Sequence, residues 1–162
     1  KTSRGLPYPT YSDFLLAKNE DGVNHNFLNC EEAFLFVKKS HERNRILSIT
    51  GDFAGFNTLS TISTFCKKYN LKVSVLYISS VEYRLFNEKV FGDYIRNIKS
   101  LPLSDDSVII RAFYNKPPNV HPECVDKQLF TTSFQYIRSL IKNFDEGKCN
   151  SYWDIGTLDY IQ

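Results

Sequence analysis

The sequence contains no methionine, a single tryptophan and almost no net charge. Lysine at position 1 is a poor site for simple initiator trimming, so the missing methionine predicts a piece of a longer translated product, with any targeting segment upstream. No apolar run approaches the ~18 residues of a membrane-spanning helix. Twenty basic against 18 acidic residues leave +2, which carries no nucleic-acid signature. The four cysteines, Cys30, Cys66, Cys124 and Cys149, are scattered without a C-x-x-C pair, which argues against a disulfide framework. His25, His41 and His121 are equally dispersed, so no zinc site is expected. His121 and Cys124 share a His-Pro-Glu-Cys run in a proline-rich loop, which reads as a surface turn. Nothing resembles a Ser-His-Asp or Cys-His nucleophile.

Core material is plentiful. Hydrophobic residues make up 42% and aromatic residues 15% of 162 positions, enough for one globular domain over 1–162 and incompatible with overall disorder. Residues 1–10, punctuated by Pro7 and Pro9, read as an extended arm. A short helix is expected from Tyr11, capped by Thr10 or Ser12 with Asp13 near its positive end. Asp21-Gly22 marks a turn. A second helix begins near Glu31 and ends in basic residues. Residues 46–50 are apolar and β-branched and read as a strand. A glycine turn over 51–55, a helix over 57–69 closed by Asn70 and a strand over 71–79 complete a βαβ unit. A helix over 81–100, a strand over 107–113, a helix over 129–144 followed by Gly147 at its C′ position, and a short terminal strand or extended arm over 151–155 continue the alternation. These elements predict an α/β fold, a Rossmann-like three-layer α/β/α arrangement with a mostly parallel sheet of three or four strands.

Ligands in open α/β sheets bind outside the carboxyl ends of the strands, which directs attention to three charged residues. Asp52 lies in Gly51-Asp52-Phe53-Ala54-Gly55, where glycines would admit a ligand to the backbone. The alternative is a tight turn in which Asp52 bonds its own backbone. Glu82 lies in Ser79-Ser80-Val81-Glu82, where it could bind ribose hydroxyls or act as acid or base; a helix-capping box explains the same residues. Arg111 is expected to end its strand at the same edge. Its structural reading is a bidentate pair with either carboxylate, and its functional reading is a substrate anion. Tyr8, Tyr11, Tyr152 and Trp153 could stack on bases or sugars, or anchor the chain ends.

Thr10-Tyr11-Ser12-Asp13, Cys30-Glu31-Glu32-Ala33-Phe34, Gly51-Asp52-Phe53-Ala54-Gly55, Ser79-Ser80-Val81-Glu82-Tyr83, Leu101-Pro102-Leu103, Ile110-Arg111 and Tyr152-Trp153-Asp154 occur in this order. Together they resemble a bacterial family of conserved hypothetical proteins with a class I methyltransferase-like fold, and the chain looks like its downstream half. The resemblance implies S-adenosylmethionine as a possible cofactor, with the elements expected to hold it in the family's upstream half and Gly51, Phe53, Gly55 and Ser80 as the cofactor-binding candidates of this chain; Asp52, Glu82 and Arg111, by their places at successive strand ends, are the catalytic candidates around a small-molecule ligand. Phe53 replaces the middle glycine of a methyltransferase cofactor loop, Tyr77 falls where its acidic residue is expected, and Ser80 stands where the family commonly has asparagine. The competing expectation is therefore a non-enzymatic binding or interaction domain that keeps the fold without the cofactor. A third, metal-assisted hydrolysis by Asp52 and Glu82, lacks a histidine partner.

Overall fold

The computed structural model describes residues 10–19, 21–125 and 129–161. Apart from Thr10, the expected arm over 1–10 lies outside them. The chain divides into two compact units, Lys1–Thr50 and Gly51–Gln162.

Among its described residues the first unit holds two helices. Helix α1, Tyr11–Leu16, starts at Thr10, whose hydroxyl accepts from the Asp13 amide while the Asp13 carboxylate accepts from the Thr10 amide. This reciprocal cap satisfies amides that a six-residue helix would otherwise leave open. Gly22 has φ +76°, as the Asp21-Gly22 turn requires. Helix α2 spans Glu31–Glu42, with both acids in its first turn and Lys39 and His41 in its last. Residues 46–50 form no strand. Ile46, Leu47 and Ile49 are exposed there, and β-branched composition alone does not make a strand without a hydrogen-bonded neighbour.

The second unit contains the sheet. Its elements run α3 Thr58–Lys68, β1 Val73–Ser79, α4 Val81–Asn87, α5 Phe91–Ser100, β2 Leu103–Tyr114, β3 Phe130–Tyr136, α6 Ile137–Asp145, α7 Tyr152–Thr157 and β4 Tyr160–Ile161. The strands lie in the order β1-β2-β3-β4. Only β1 and β2 are parallel; β2 with β3 and β3 with β4 are antiparallel. The fold is α/β, but the sheet is mixed rather than mostly parallel.

Three segments depart from their sequence expectations. Residues 81–100 form two helices, because the chain turns at Lys89, whose φ is +61°. Residues 130–136 form β3 instead of the start of a helix. Here the pattern is inverted: Thr131, Ser133 and Gln135 point into the protein, while Phe130, Phe134 and Tyr136 lie exposed. The inward amide of Gln135 donates to the Leu158 carbonyl at 2.5 Å, and Thr131 accepts from Asn115 at 2.9 Å. Residues 152–157 form α7 in place of a strand. Ser151 and Asp154 close a second reciprocal cap at its start.

One apolar cluster joins Ile78 of β1 and Ile109 of β2 to Leu59, Leu85, Ile95, Leu140 and Ile155, so all five helices of this unit meet a single sheet face. Register places Val75 beside Val108 and Tyr77 beside Ile110 on the opposite face, where Val75, Tyr77, Phe134 and Tyr136 are exposed. Among the described residues this unit is therefore two-layered, not α/β/α. A sheet covered on both faces was expected from its apolar strands.

Phe113 is fully buried in the flank of this core. It stacks on Tyr152 at 4.6 Å with the planes 7° apart, and Gly156 backs it. A Cβ on Gly156 would fall 2.2 Å from the Phe113 ring. Gly156→Ala should cost about 1–3 kcal/mol through overpacking. Thermal denaturation followed by circular dichroism should show the midpoint falling by several degrees, whereas an unchanged midpoint would contradict the packing described.

Candidate functional site

Glu82 leaves the first turn of α4, just past β1, where Ser79 adopts φ +50° and turns the chain. Arg111 stands within β2, three residues before its end, on the face that the helices cover. The two side chains meet head to head. Arg111 Nε donates to Glu82 Oε2 at 2.6 Å and Nη2 donates to Oε1 at 3.3 Å. The Tyr94 hydroxyl of α5 donates to the same Oε1 at 3.3 Å. Glu82 and Arg111 are each 1% exposed and Tyr94 is fully buried. Of the two structural readings open to Arg111, the pair with Glu82 is the one realised.

Electrostatics follow from this burial. Desolvation works against the Arg111 charge, yet Glu82, with Tyr94 and Tyr152 behind it, holds the guanidinium pKa above its ordinary value. Burial, reinforced by the Glu82 charge, pushes the Tyr94 phenol well above the usual range. Burial likewise pushes Tyr152 up to about 12 and the Cys149 thiol up to about 11. Neither group is poised to act as an anion near neutrality.

Asp52 sits apart, exposed in its turn. Its Oδ1 accepts from the Ala54 amide at 2.9 Å, and its own amide donates to the Thr58 hydroxyl at 3.2 Å. This is the backbone-capping turn that the sequence offered as the alternative to a ligand loop. The glycines serve the turn too. A Cβ on Gly51 would fall 2.0 Å from Thr58 Oγ1, and one on Gly55 would fall 3.1 Å from Asp52 Cβ. The space without a side chain at Gly51 is taken by Thr58. Phe53 turns inward, its ring edge-on to Tyr94 at 6.3 Å. Ser80 occupies the N-cap position of α4 without a side-chain capping bond, so the expected capping box with Glu82 does not form; Glu82 is committed to Arg111. Gly51, Asp52 and Phe53 nevertheless line a cavity of about 360 Å³ together with Val81, Arg84 and Leu85 of α4.

Several residues that hold this region carried no signal in the sequence. Asn97 of α5 donates through Nδ2 to the carbonyls of Phe53 at 2.9 Å and Gly55 at 2.8 Å, tying the 51–55 turn to the core. A lone asparagine in an amphipathic helix gives no motif to recognise. Tyr94 was equally silent, one aromatic among many. The His-Pro-Glu-Cys run does form a turn, closed by the Cys124 amide donating to the His121 carbonyl at 3.0 Å with Pro122 and Glu123 exposed, but the His121 side chain itself is buried. Its Nδ1 accepts from the Glu123 amide at 3.1 Å and its Nε2 lies 3.2 Å from the Gly156 carbonyl, an arrangement that suits the neutral ring with the proton on Nε2. Its ring packs against Phe113 and Tyr160. Among the described residues, no three His, Cys, Asp or Glu side chains are grouped to hold a metal ion, and no helix is long and apolar enough to cross a membrane.

The chain belongs to the family described as Domain of unknown function (DUF7790), whose model matches residues 9–155. No curated protein matches it. The match covers the 51–55 turn, Ser80, Glu82 and Arg111 alike.

Burial lowers the His121 pKa below its ordinary value, outweighing the Gly156 carbonyl and the Glu123 charge that raise it. A base depressed on folding contributes stability that is fully present above the unfolded pKa of ~6.5 and is lost as pH falls toward the folded value. Nitrogen-15 NMR of the imidazoles should show His121 as the Nε2–H tautomer titrating below ~6.5. A midpoint at or above that value, or an Nδ1–H tautomer, would contradict the geometry.

Proposed function

We propose that this chain is a binding domain without catalytic chemistry at Glu82 and Arg111. The observation that carries this reading is the sealed pair itself. A general acid or base must reach its substrate within hydrogen-bond distance, and an anion-binding arginine must present its fork. Glu82 and Arg111 turn to each other through Nε and Nη2 with 1% exposure apiece, and the remaining Nη1 of Arg111 is buried without a hydrogen-bond partner, closed off from a solvent-borne substrate. Asp52, the third group expected beside them, keeps its carboxylate on the Ala54 amide. The three charges that the sequence assembled into one cleft thus divide into a buried core pair and an exposed turn residue.

A second reading, a methyltransferase-like ligand cleft, has one observation in its favour. The parallel β1–β2 pair is connected through α4 and α5, and the glycine turn beside α4 borders the 360 Å³ cavity with Asp52 on its wall. In that reading only Asp52 of the three is placed to meet a ligand, and the ribose-binding acid expected of S-adenosylmethionine sites has no accessible candidate at Glu82.

Isothermal titration of the 162-residue chain with S-adenosylhomocysteine separates the two. The binding-domain reading expects no heat that depends on Asp52. Micromolar binding abolished by Asp52→Ala, with the melting midpoint unchanged, would overturn it in favour of the methyltransferase-like cleft.

A further inference from the structure

A second cavity, of about 340 Å³, opens beyond the carboxyl end of β2, and the inference drawn from it rests on the binding-domain reading. In sheets with parallel strands this is the edge at which ligands bind. The volume falls in the range of small-molecule sites. Its walls are unusually aromatic. Tyr83 comes from the first turn of α4, Tyr114 closes β2, and Tyr152 opens α7, with Phe86 one turn further along α4. The Tyr83 ring stands edge-on to Tyr114 at 5.4 Å and to Tyr152 at 5.2 Å. Tyr152 is immobilised from behind, stacked on Phe113 and accepting at its hydroxyl from the Tyr114 amide at 3.0 Å. The rings therefore form a rigid corner rather than a set of free surface side chains.

The polar lining is as telling as the apolar one. Among the described residues, Lys116 is the charged residue that borders this cavity, and no carboxylate lines it. The lysine sits in a turn fixed by two backbone bonds with Asn119, Lys116 N–H to Asn119 O at 3.1 Å and the reverse at 2.8 Å. Asn119 and Asn87 add amide groups that both donate and accept. Flat apolar walls suit a planar ring, amides suit ring nitrogens and carbonyls, and a lysine ammonium suits an anion.

We propose that this cavity binds a planar heteroaromatic ring that carries an anionic group, the ring against Tyr83 and Tyr114 and the anion at Lys116. Two sources share that chemistry, a nucleoside monophosphate and an aromatic carboxylic acid.

The test titrates the 162-residue chain with AMP, with indole-3-acetate, and with adenosine and inorganic phosphate as the separated halves, read by calorimetry and by saturation-transfer NMR of the ligand ring protons. The expected result is binding of AMP or indole-3-acetate, with whichever binds identifying the source. For the nucleotide, adenosine should bind roughly tenfold more weakly and phosphate not measurably. Lys116→Ala, at an exposed position, should weaken the anionic ligand by roughly tenfold and leave adenosine unchanged. Tyr83→Leu should abolish the ring saturation transfer. Failure of both anionic ligands to bind at millimolar concentration, or binding that Lys116→Ala does not alter, overturns this proposal while leaving the binding-domain reading intact. Binding that Asp52→Ala abolishes and Lys116→Ala spares overturns both.

Discussion

A charge buried in a protein interior has to be matched, and in this chain that requirement joins three elements at Glu82 and Arg111. Desolvating a guanidinium or a carboxylate costs several kcal/mol apiece, and only close, hydrogen-bonded pairing offsets it. The 2.6 Å contact between Arg111 Nε and Glu82 Oε2 does so, and Tyr94 brings α5 into the same arrangement. Such a pair does not outcompete an apolar core of the same volume. What it does is specify position: β2 and the start of α4 must meet here, because either charge left alone would be strongly unfavourable. The direction of α4 after β1 follows, and with it the places of Tyr83 and Phe86 along the sheet edge.

The same pair decides how the chemistry of the chain is read. Glu82 and Arg111 are the residue types that catalytic and anion-binding sites use, and their location near a strand end matches where such sites lie. Burial reverses the inference. Groups paired with each other and sealed inside the core are out of reach of substrate, and the exposed polar equipment of the sheet edge passes to the residues around it: Asp52 beside one cavity, Lys116 and the tyrosines beside another. Membership of the Domain of unknown function (DUF7790) family spans both groups of residues and is compatible with either use of the edge.

Much of the local structure was legible in the residues because local rules govern it. Thr10 and Asp13 announce α1, the acidic start and basic end mark α2, Asn70 follows α3 with φ +54°, and Gly147 follows α6 with φ +69°. The apolar run of β1 and the core of β2 were also visible. Two of the failures lie where long-range partners, not neighbours in sequence, determine conformation, and a third is a local cap that was overlooked. Residues 46–50 have strand composition but form no strand. Residues 130–136 turn their polar side chains inward because Asn115 and the Leu158 carbonyl wait there, so the usual sign of amphipathicity is inverted. Tyr152, Trp153 and Asp154 look extended and aromatic, yet the Ser151–Asp154 cap makes them a helix. At the site, the residue types and even the Glu82–Arg111 pairing were readable, but the depth of that pair and its separation from Asp52 were not. Burial is a property of the assembled core, and Tyr94 and Asn97, which complete it, have no motif of their own.

The central claim is that Glu82 and Arg111 are one buried structural unit. A double-mutant cycle of Glu82→Ala and Arg111→Ala, measured by urea denaturation, tests it most directly. Each single replacement strands a buried charge and should destabilise the chain by about 3–5 kcal/mol, and the double replacement should cost far less than the sum, with a coupling of at least ~2 kcal/mol. Single replacements that each cost under ~1 kcal/mol and add to within ~0.5 kcal/mol would show two independent, solvated side chains and would contradict the account.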